Sequence, residues 1–100
     1  MKVTIQSPQH AVSLKLNNFI QKKLDKLELF YDRIIRAEVF LKVVNSSEKS
    51  NKISEILLHL PGEQLVIKKE ASSFEAAIDL SVQSLERGLK KTKAKQRAHI

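Results

Sequence analysis

Cysteine and tryptophan are absent from this chain, and only two glycines and two prolines occur among its 100 residues. Without cysteine the protein forms no disulfide, thiolate metal site or cysteine nucleophile, which is typical of a reducing cytoplasm. No apolar run approaches the roughly 20 residues of a membrane span, and the N-terminal MKVTIQSPQH lacks the apolar stretch of a secretory signal. We therefore expect one cytoplasmic domain, whose 42% hydrophobic content suffices for a single core.

Residues that support catalysis or bind metals are present, but they are not grouped. His10, His59 and His99 lie far apart and show none of the spacings of zinc ligands. No glycine-rich phosphate loop occurs. Glu75 and Asp79 are four residues apart on a predicted helix, where carboxylates are usually solvated. We expect no enzymatic activity, no cofactor, no metal and no small-molecule substrate.

Positive charge is what the chain has in excess, and it is concentrated at one end. The last 14 residues, RGLKKTKAKQRAHI, contain six Lys or Arg and no acid, whereas the other 86 residues hold 12 Lys or Arg and 11 Asp or Glu. Six of the seven net positive charges therefore lie in this segment. Neutralising a helix dipole needs only one or two cations. A near-neutral body with so cationic an end favours binding to a polyanion.

Hydrophobic periodicity predicts six elements, in the order strand, helix, strand, strand, strand, helix. Ser13 is the expected N-cap of the first helix, whose apolar stripe ends near Phe30 or Tyr31. The predicted strands lie around Val3 and Ile5, at 35–43, at 53–60 and at 64–69, with a polar loop at 45–51 and a turn at Pro61-Gly62. We predict an α+β fold of the β-α-β-β-β-α type, in which two helices pack on one face of a four-stranded antiparallel sheet.

The last helix joins the cationic segment to the predicted core. Ser72 and Glu75 have the spacing of a capping box at its start. Its apolar face consists of Phe74, Ile78, Val82, Leu85 and Leu89. Because this face continues into the basic segment, we expect a docked helix rather than a loose tail. Gly88 in its interior indicates either close packing or early fraying.

The cations of this helix fall on two adjacent strips. They are Arg87, Lys91 and Lys95 on one strip, and Lys90, Lys93 and Arg97 on the other. Lys23 and Lys26 of the first helix would border the same surface if the helices are neighbours. The aromatic residues predict no comparable platform for stacking on bases. Phe40 is more typical of a core, and Phe30 and Tyr31 are expected to wedge beneath the turn after the first helix.

Four segments resemble the short ribosome hibernation promoting factors, also called ribosome-associated inhibitor or protein Y-like proteins. These segments are KKLDKLELFYDRI (22–34), FLKV (40–43), FEAAID (74–79) and LERGLKKTKAK (85–95). The resemblance covers essentially the whole chain, and AAID followed by the basic helix is its most specific part. It implies two parallel helices on a four-stranded sheet. It also implies binding to the small ribosomal subunit and its rRNA in the mRNA/tRNA channel, inhibition of translation and promotion of inactive ribosomes, including ribosome dimers.

By position, the resemblance also implies which cations face RNA. They are Lys23, Lys26, Lys42, Arg87, Lys90, Lys91, Lys93, Lys95 and Arg97. It further implies a single ribosome-binding domain over residues 1–100, without a C-terminal dimerisation domain, that works with a separate ribosome modulation factor. The chain departs from the family pattern at Ser73 and Glu75, where the family often has Asp and Tyr.

Two other functions use the same cationic helix. One is a general double-stranded RNA-binding or regulatory module, because the predicted fold resembles a double-stranded RNA-binding domain with an added strand. The other is an adaptor that binds a membrane surface or a protein partner. A membrane role would require the apolar face of the helix to contact lipid, whereas we expect that face to pack on the sheet.

Overall fold

The computed structural model describes residues 1–9, 11–44 and 51–97. The six predicted elements are all present, in the predicted order. They are β1 (Lys2–Gln6), α1 (Leu14–Asp25), β2 (Arg36–Val43), β3 (Lys52–Leu60), β4 (Glu63–Ala71) and α2 (Phe74–Arg97). The predicted loop at 45–51 lies outside the described residues except for Asn51, as do His10 and His99. In the described ranges, no helix combines the length and apolar character needed to cross a membrane.

The four strands form one sheet in the order β1-β2-β3-β4, and its pairing is mixed. The pairs β2–β3 and β3–β4 are antiparallel, as predicted. The prediction of a wholly antiparallel sheet was wrong for β1, which runs parallel to β2 with Val3 opposite Ala37. The cause is the connection: the chain crosses through α1 between these two strands and re-enters the sheet in its original direction.

A glutamine side chain extends the β1–β2 pairing beyond the end of β1. The backbone N–H of Val43 donates to Oε1 of Gln9 over 2.6 Å, and Nε2 of Gln9 donates to the carbonyl of Val43 over 3.0 Å. The side-chain amide thus takes the place of a strand backbone. It holds the chain beside β2 before the crossover to α1 begins.

Alternation along the strands places the core on one face of the sheet, where both helices pack. Ala37, Val39 and Leu41 of β2 are completely buried there. On β3, Ile56, Leu58 and Leu60 are likewise buried. Within residues 1–9, 11–44 and 51–97, no helix packs on the other face of the sheet.

The first helix begins as predicted and ends in a tighter turn. The N–H of Leu16 donates to Oγ of Ser13 over 3.1 Å, which confirms Ser13 as the N-cap. The α-helical part stops at Asp25, and a 3-10 turn continues over Lys26–Leu29. Leu27 remains fully buried in this turn, so the apolar stripe reaches as far as the sequence predicts although the backbone geometry changes.

The start of α2 lies one residue later than the sequence predicted. The N–H of Ala76 donates to Oγ of Ser73 over 3.1 Å, so Ser73 rather than Ser72 is the N-cap. The predicted capping box is therefore wrong, because the third helical position is Ala76, which has no carboxylate to return the hydrogen bond. Two adjacent serines made the one-residue error possible.

Gly88 is a close-packing position, and the helix does not fray there. A Cβ built at this residue would lie 3.2 Å from Cδ1 of Leu65 on β4. The helix continues without a break to Arg97. The absent side chain thus lets the basic half of α2 sit directly against the sheet.

Candidate nucleic-acid interface

The second half of α2 presents a row of exposed cations on a rigidly docked helix. Leu85, Leu89 and Thr92 are buried and hold this part of the helix on the core. We call its exposed cations the cationic ridge: Arg87, Lys90, Lys91, Lys93 and Lys95. Arg97 belongs to the same helix, but its side chain lies outside the described part. Among the described residues, none of the ridge cations forms an ion pair, so their charge is free to attract anions.

The two helices are parallel neighbours, so α1 and the turn after it run along one flank of α2. Lys23 of α1 contacts Asp79 near the start of α2, and Tyr31 after the 3-10 turn contacts Gln96 near its end. Later residues of one segment thus meet later residues of the other. The Nζ of Lys90 lies 5.1 Å from the centre of the Phe30 ring, which places this side of the ridge beside the turn.

The two predicted cations around the first helix differ in their surroundings. The Nζ of Lys23 lies 3.1 Å from Oδ1 of Asp79 and 5.4 Å from the centre of the Phe19 ring, and its side chain is 32% exposed. Its charge is already paired, and it links α1 to α2. Lys26 is exposed on the 3-10 turn. Of these two, Lys26 is exposed as a side chain that binds phosphate would be. Lys23 instead has the surroundings of a structural residue that holds the two helices together.

The structure does not bring Lys42 together with the ridge. Since Ala37, Val39 and Leu41 point toward the helices, Lys42 lies on the opposite face of the sheet. It pairs with Ile53 at the end of the sheet from which α2 starts, far along the helix from the ridge. The alternation in β2 already contained this information, because Lys42 has the opposite parity to the apolar residues.

Acidic groups near the 3-10 turn are partly neutralised by the chain terminus. The amino group of Met1 donates to Oε1 of Glu28 over 2.6 Å and lies 3.5 Å from Oδ1 of Asp25. The hydrogen bond to Glu28 raises the pKa of this amino group above its ordinary value of 8.0. The ridge therefore borders a turn whose carboxylate at Glu28 is paired with a cation.

Nearly the whole chain matches a known protein family. The model of the family described as "Sigma 54 modulation protein / S30EA ribosomal protein" matches residues 3–97. The chain belongs to this family. Among its curated relatives, the ribosome hibernation promoting factor of Azotobacter vinelandii is 35% identical over 96 residues, which cover 96% of this chain and 86% of the relative. Its namesake in Escherichia coli K12 is 33% identical over 99 residues, which cover 99% and 100%.

Solved structures share the fold of this family member. The protein Y N-terminal domain of Thermus thermophilus superposes with a TM-score of 0.80 at 25% identity, covering 92% of this chain and 99% of that one. A ribosomal subunit interface protein from Coxiella burnetii superposes with a TM-score of 0.83 at 24% identity, covering 94% and 99%. The fold class inferred from the resemblance is thereby confirmed, with the mixed sheet as its correct form.

The ridge has the chemistry of a phosphate-binding surface. Lysine ammonium groups on one side of a helix hold phosphates as point charges and do not read base identity. In the described ranges, no group of three or more His, Cys, Asp or Glu side chains is placed to hold a metal ion. Sequence reasoning missed the pairing of Lys23 with Asp79, and only the i, i+4 spacing of Glu75 and Asp79 signalled carboxylates on that flank.

Proposed function

We propose that this protein is a ribosome hibernation factor that binds the rRNA of the small ribosomal subunit through the cationic ridge. It occupies the channel for mRNA and tRNA, inhibits translation and promotes inactive ribosomes, including dimers. The observation that carries the proposal is the row of five exposed cations on a docked helix, none of which forms an ion pair with any residue that the structure describes. Family membership and relatives named ribosome hibernation promoting factors support the ribosome as the partner.

The geometry of α2 suits a phosphate backbone that runs along the helix. From Arg87 to Lys95 the helix axis advances about 12 Å, at about 1.5 Å per residue, so the ridge meets several consecutive phosphates. Each phosphate that the ridge neutralises releases counterions and adds about 0.7–0.9 to the log–log dependence of affinity on salt. Binding is therefore strong at low salt and lost at high salt.

Inhibition in this proposal requires no chemical step. A folded domain seated in the channel excludes mRNA and tRNA by occupying their space, and it leaves when salt or a competing ligand lowers its occupancy. Assembly of ribosome dimers is assigned to a separate ribosome modulation factor, with this chain stabilising the silenced ribosomes in the cytoplasm. Lys26 joins the ridge in this arrangement, whereas RNA contacts by Lys23, Lys42 and Arg97 stay predictions.

Sedimentation of a stationary-phase lysate at low and high salt tests the proposal. The protein should travel with small subunits and inactive ribosomes at low salt and remain at the top of the gradient at high salt. A protein that stays at the top at low salt contradicts it. Competition with a plain RNA duplex separates the alternative: a general double-stranded RNA-binding module would be displaced by the duplex as readily as by small subunits.

A further inference from the structure

A groove of about 400 Å³ lies between the 3-10 turn and the last turns of α2, directly beside the cationic ridge. Its lining includes Leu29, Phe30, Arg33 and Lys93. The volume falls at the low end of small-molecule sites, which are about 300–1,000 Å³. This groove is therefore a candidate site for a small ligand group that, unlike a phosphate, has apolar surface.

The walls of the groove are held in place before any ligand binds. Tyr31 is only 4% exposed, and its hydroxyl accepts a hydrogen bond of 3.0 Å from Nε2 of Gln96. This bond ties the segment after the 3-10 turn to the last turn of α2. Leu27 of the 3-10 turn and Leu89 of α2 are fully buried, so both segments are anchored in the core. A preformed groove loses little entropy when it is filled.

One aromatic ring and one exposed leucine give the groove an apolar surface. The sequence suggested that Phe30 wedges beneath the turn, but its side chain is only half-buried. The Nζ of Lys90 lies over its ring. Leu29 beside it is 83% exposed, which is unusual for a large apolar side chain. Tyr31 also lines the groove, but its side chain is buried, so Phe30 is the ring that a ligand there can reach.

The apolar surface of the groove favours a ligand that is flat and apolar on its faces, and the charges around it favour one that is attached to a phosphate. Lys93 and Arg33 supply cations at the rim. Glu28 is paired with the Met1 amino group, so it repels an anion less than an isolated carboxylate would. Asp32 also lines the groove and offers oxygens that accept hydrogen bonds from exocyclic amino groups. A nucleobase with its backbone phosphate meets all of these requirements.

We propose that this groove binds one unstacked nucleobase of the RNA whose phosphates lie on the ridge, with the base stacked against Phe30. The inference rests on the proposed function, and it adds that the bound RNA is single-stranded next to the end of α2. A stacked base contributes about 5- to 150-fold in affinity, without adding to the salt dependence because no counterion is released by the base.

The test compares Phe30→Leu with Phe19→Leu in binding to purified small ribosomal subunits. The control is closely matched, because Phe19 is also half-buried and has Lys23 over its ring at 5.4 Å, but it lies along α1 away from the ridge. We expect Phe30→Leu to lose about 5- to 150-fold in affinity with an unchanged salt slope. Phe19→Leu should change affinity less than about 2-fold, since it removes no RNA contact.

A tryptophan variant provides an independent signal, because the natural chain contains no tryptophan. In Phe30→Trp the indole should retain binding, and its fluorescence should be quenched when short single-stranded RNA is added but not when a blunt duplex is added. The fluorescence of Phe19→Trp should be quenched by neither the single-stranded RNA nor the duplex. This measurement decides the matter even if Phe30→Leu fails to fold.

The outcomes separate the two proposals. If the natural chain does not bind small subunits, the proposed function and the stacking site fall together. If the natural chain binds and Phe30→Leu binds equally well, or if the Phe30→Trp fluorescence is unaffected by single-stranded RNA, the stacking site alone is overturned.

Discussion

Replacing Lys91, Lys93 and Lys95 together by glutamine should weaken binding to small ribosomal subunits by about 100- to 500-fold at about 0.1 M monovalent salt. The three side chains are exposed, and in the described part of the chain none of them forms an ion pair. At 1 M salt, counterion release contributes nothing to the affinity. At about 0.1 M salt, each phosphate contact that is lost therefore lowers the logarithm of the binding constant by about 0.7–0.9. The log–log salt slope should fall by about 2.1–2.7 in the same variant.

The variant should remain folded, so that the loss reports binding alone. Glutamine and lysine have similar helix propensities, and exposed substitutions of this kind usually change stability by less than about 0.5 kcal/mol each. A thermal melt checks this point. The matched control replaces Lys2, Lys15 and Lys68 by glutamine, which removes the same charge from exposed positions outside the ridge.

The assay is equilibrium co-sedimentation with purified small subunits over a series of salt concentrations. The control variant should show only a small, uniform weakening from the lower net charge, and the natural salt slope. RNA binding through the ridge is refuted if the ridge variant keeps its affinity and salt slope. It is refuted equally if the two variants lose the same amount, because the effect would then follow net charge rather than position.

Three further predictions concern the supports of the ridge. Ser73→Ala should destabilise the protein by about 1 kcal/mol in urea denaturation, whereas Ser72→Ala should be near neutral; equal effects would contradict the observed N-cap. Gly88→Val should cost about 1–3 kcal/mol, because branched methyl groups would overlap the leucine that packs there from β4, and an unchanged melting curve would show that the contact is loose. A double-mutant cycle on Lys23→Gln and Asp79→Asn should give a coupling of about 0.2–1 kcal/mol in stability, and Lys23→Gln should lower the salt slope of ribosome binding less than Lys93→Gln does.

Much of the fold follows from the sequence because apolar residues recur every second residue in the strands and about every 3.6 residues in the helices. The alternation in β2 and β3, the stripe of α1 and the hydroxyl of Ser13 are local signals, and all three correspond to the structure. The parallel pairing of β1 was missed because a period of two is the same in either strand direction. The cap of α2 was displaced because Ser72 and Ser73 are both competent to cap.

The candidate site was predictable only where charge alone identifies it. A run of cations without acids marks the ridge in any reading of the chain. The pairing of Lys23 with Asp79 joins residues that are far apart in sequence, and it depends on the helices being parallel. Phe30 is half-buried where the 3-10 turn ends, and the sequence periodicity did not reveal that the helix winds more tightly there.

A structure of this protein bound to the small ribosomal subunit is the decisive test of binding in the channel through the cationic ridge. We predict density for the domain in the mRNA/tRNA channel, with Lys91, Lys93 and Lys95 within about 3–4 Å of rRNA phosphate oxygens. Binding at another place on the subunit, or in the channel with the ridge facing solvent, would contradict it.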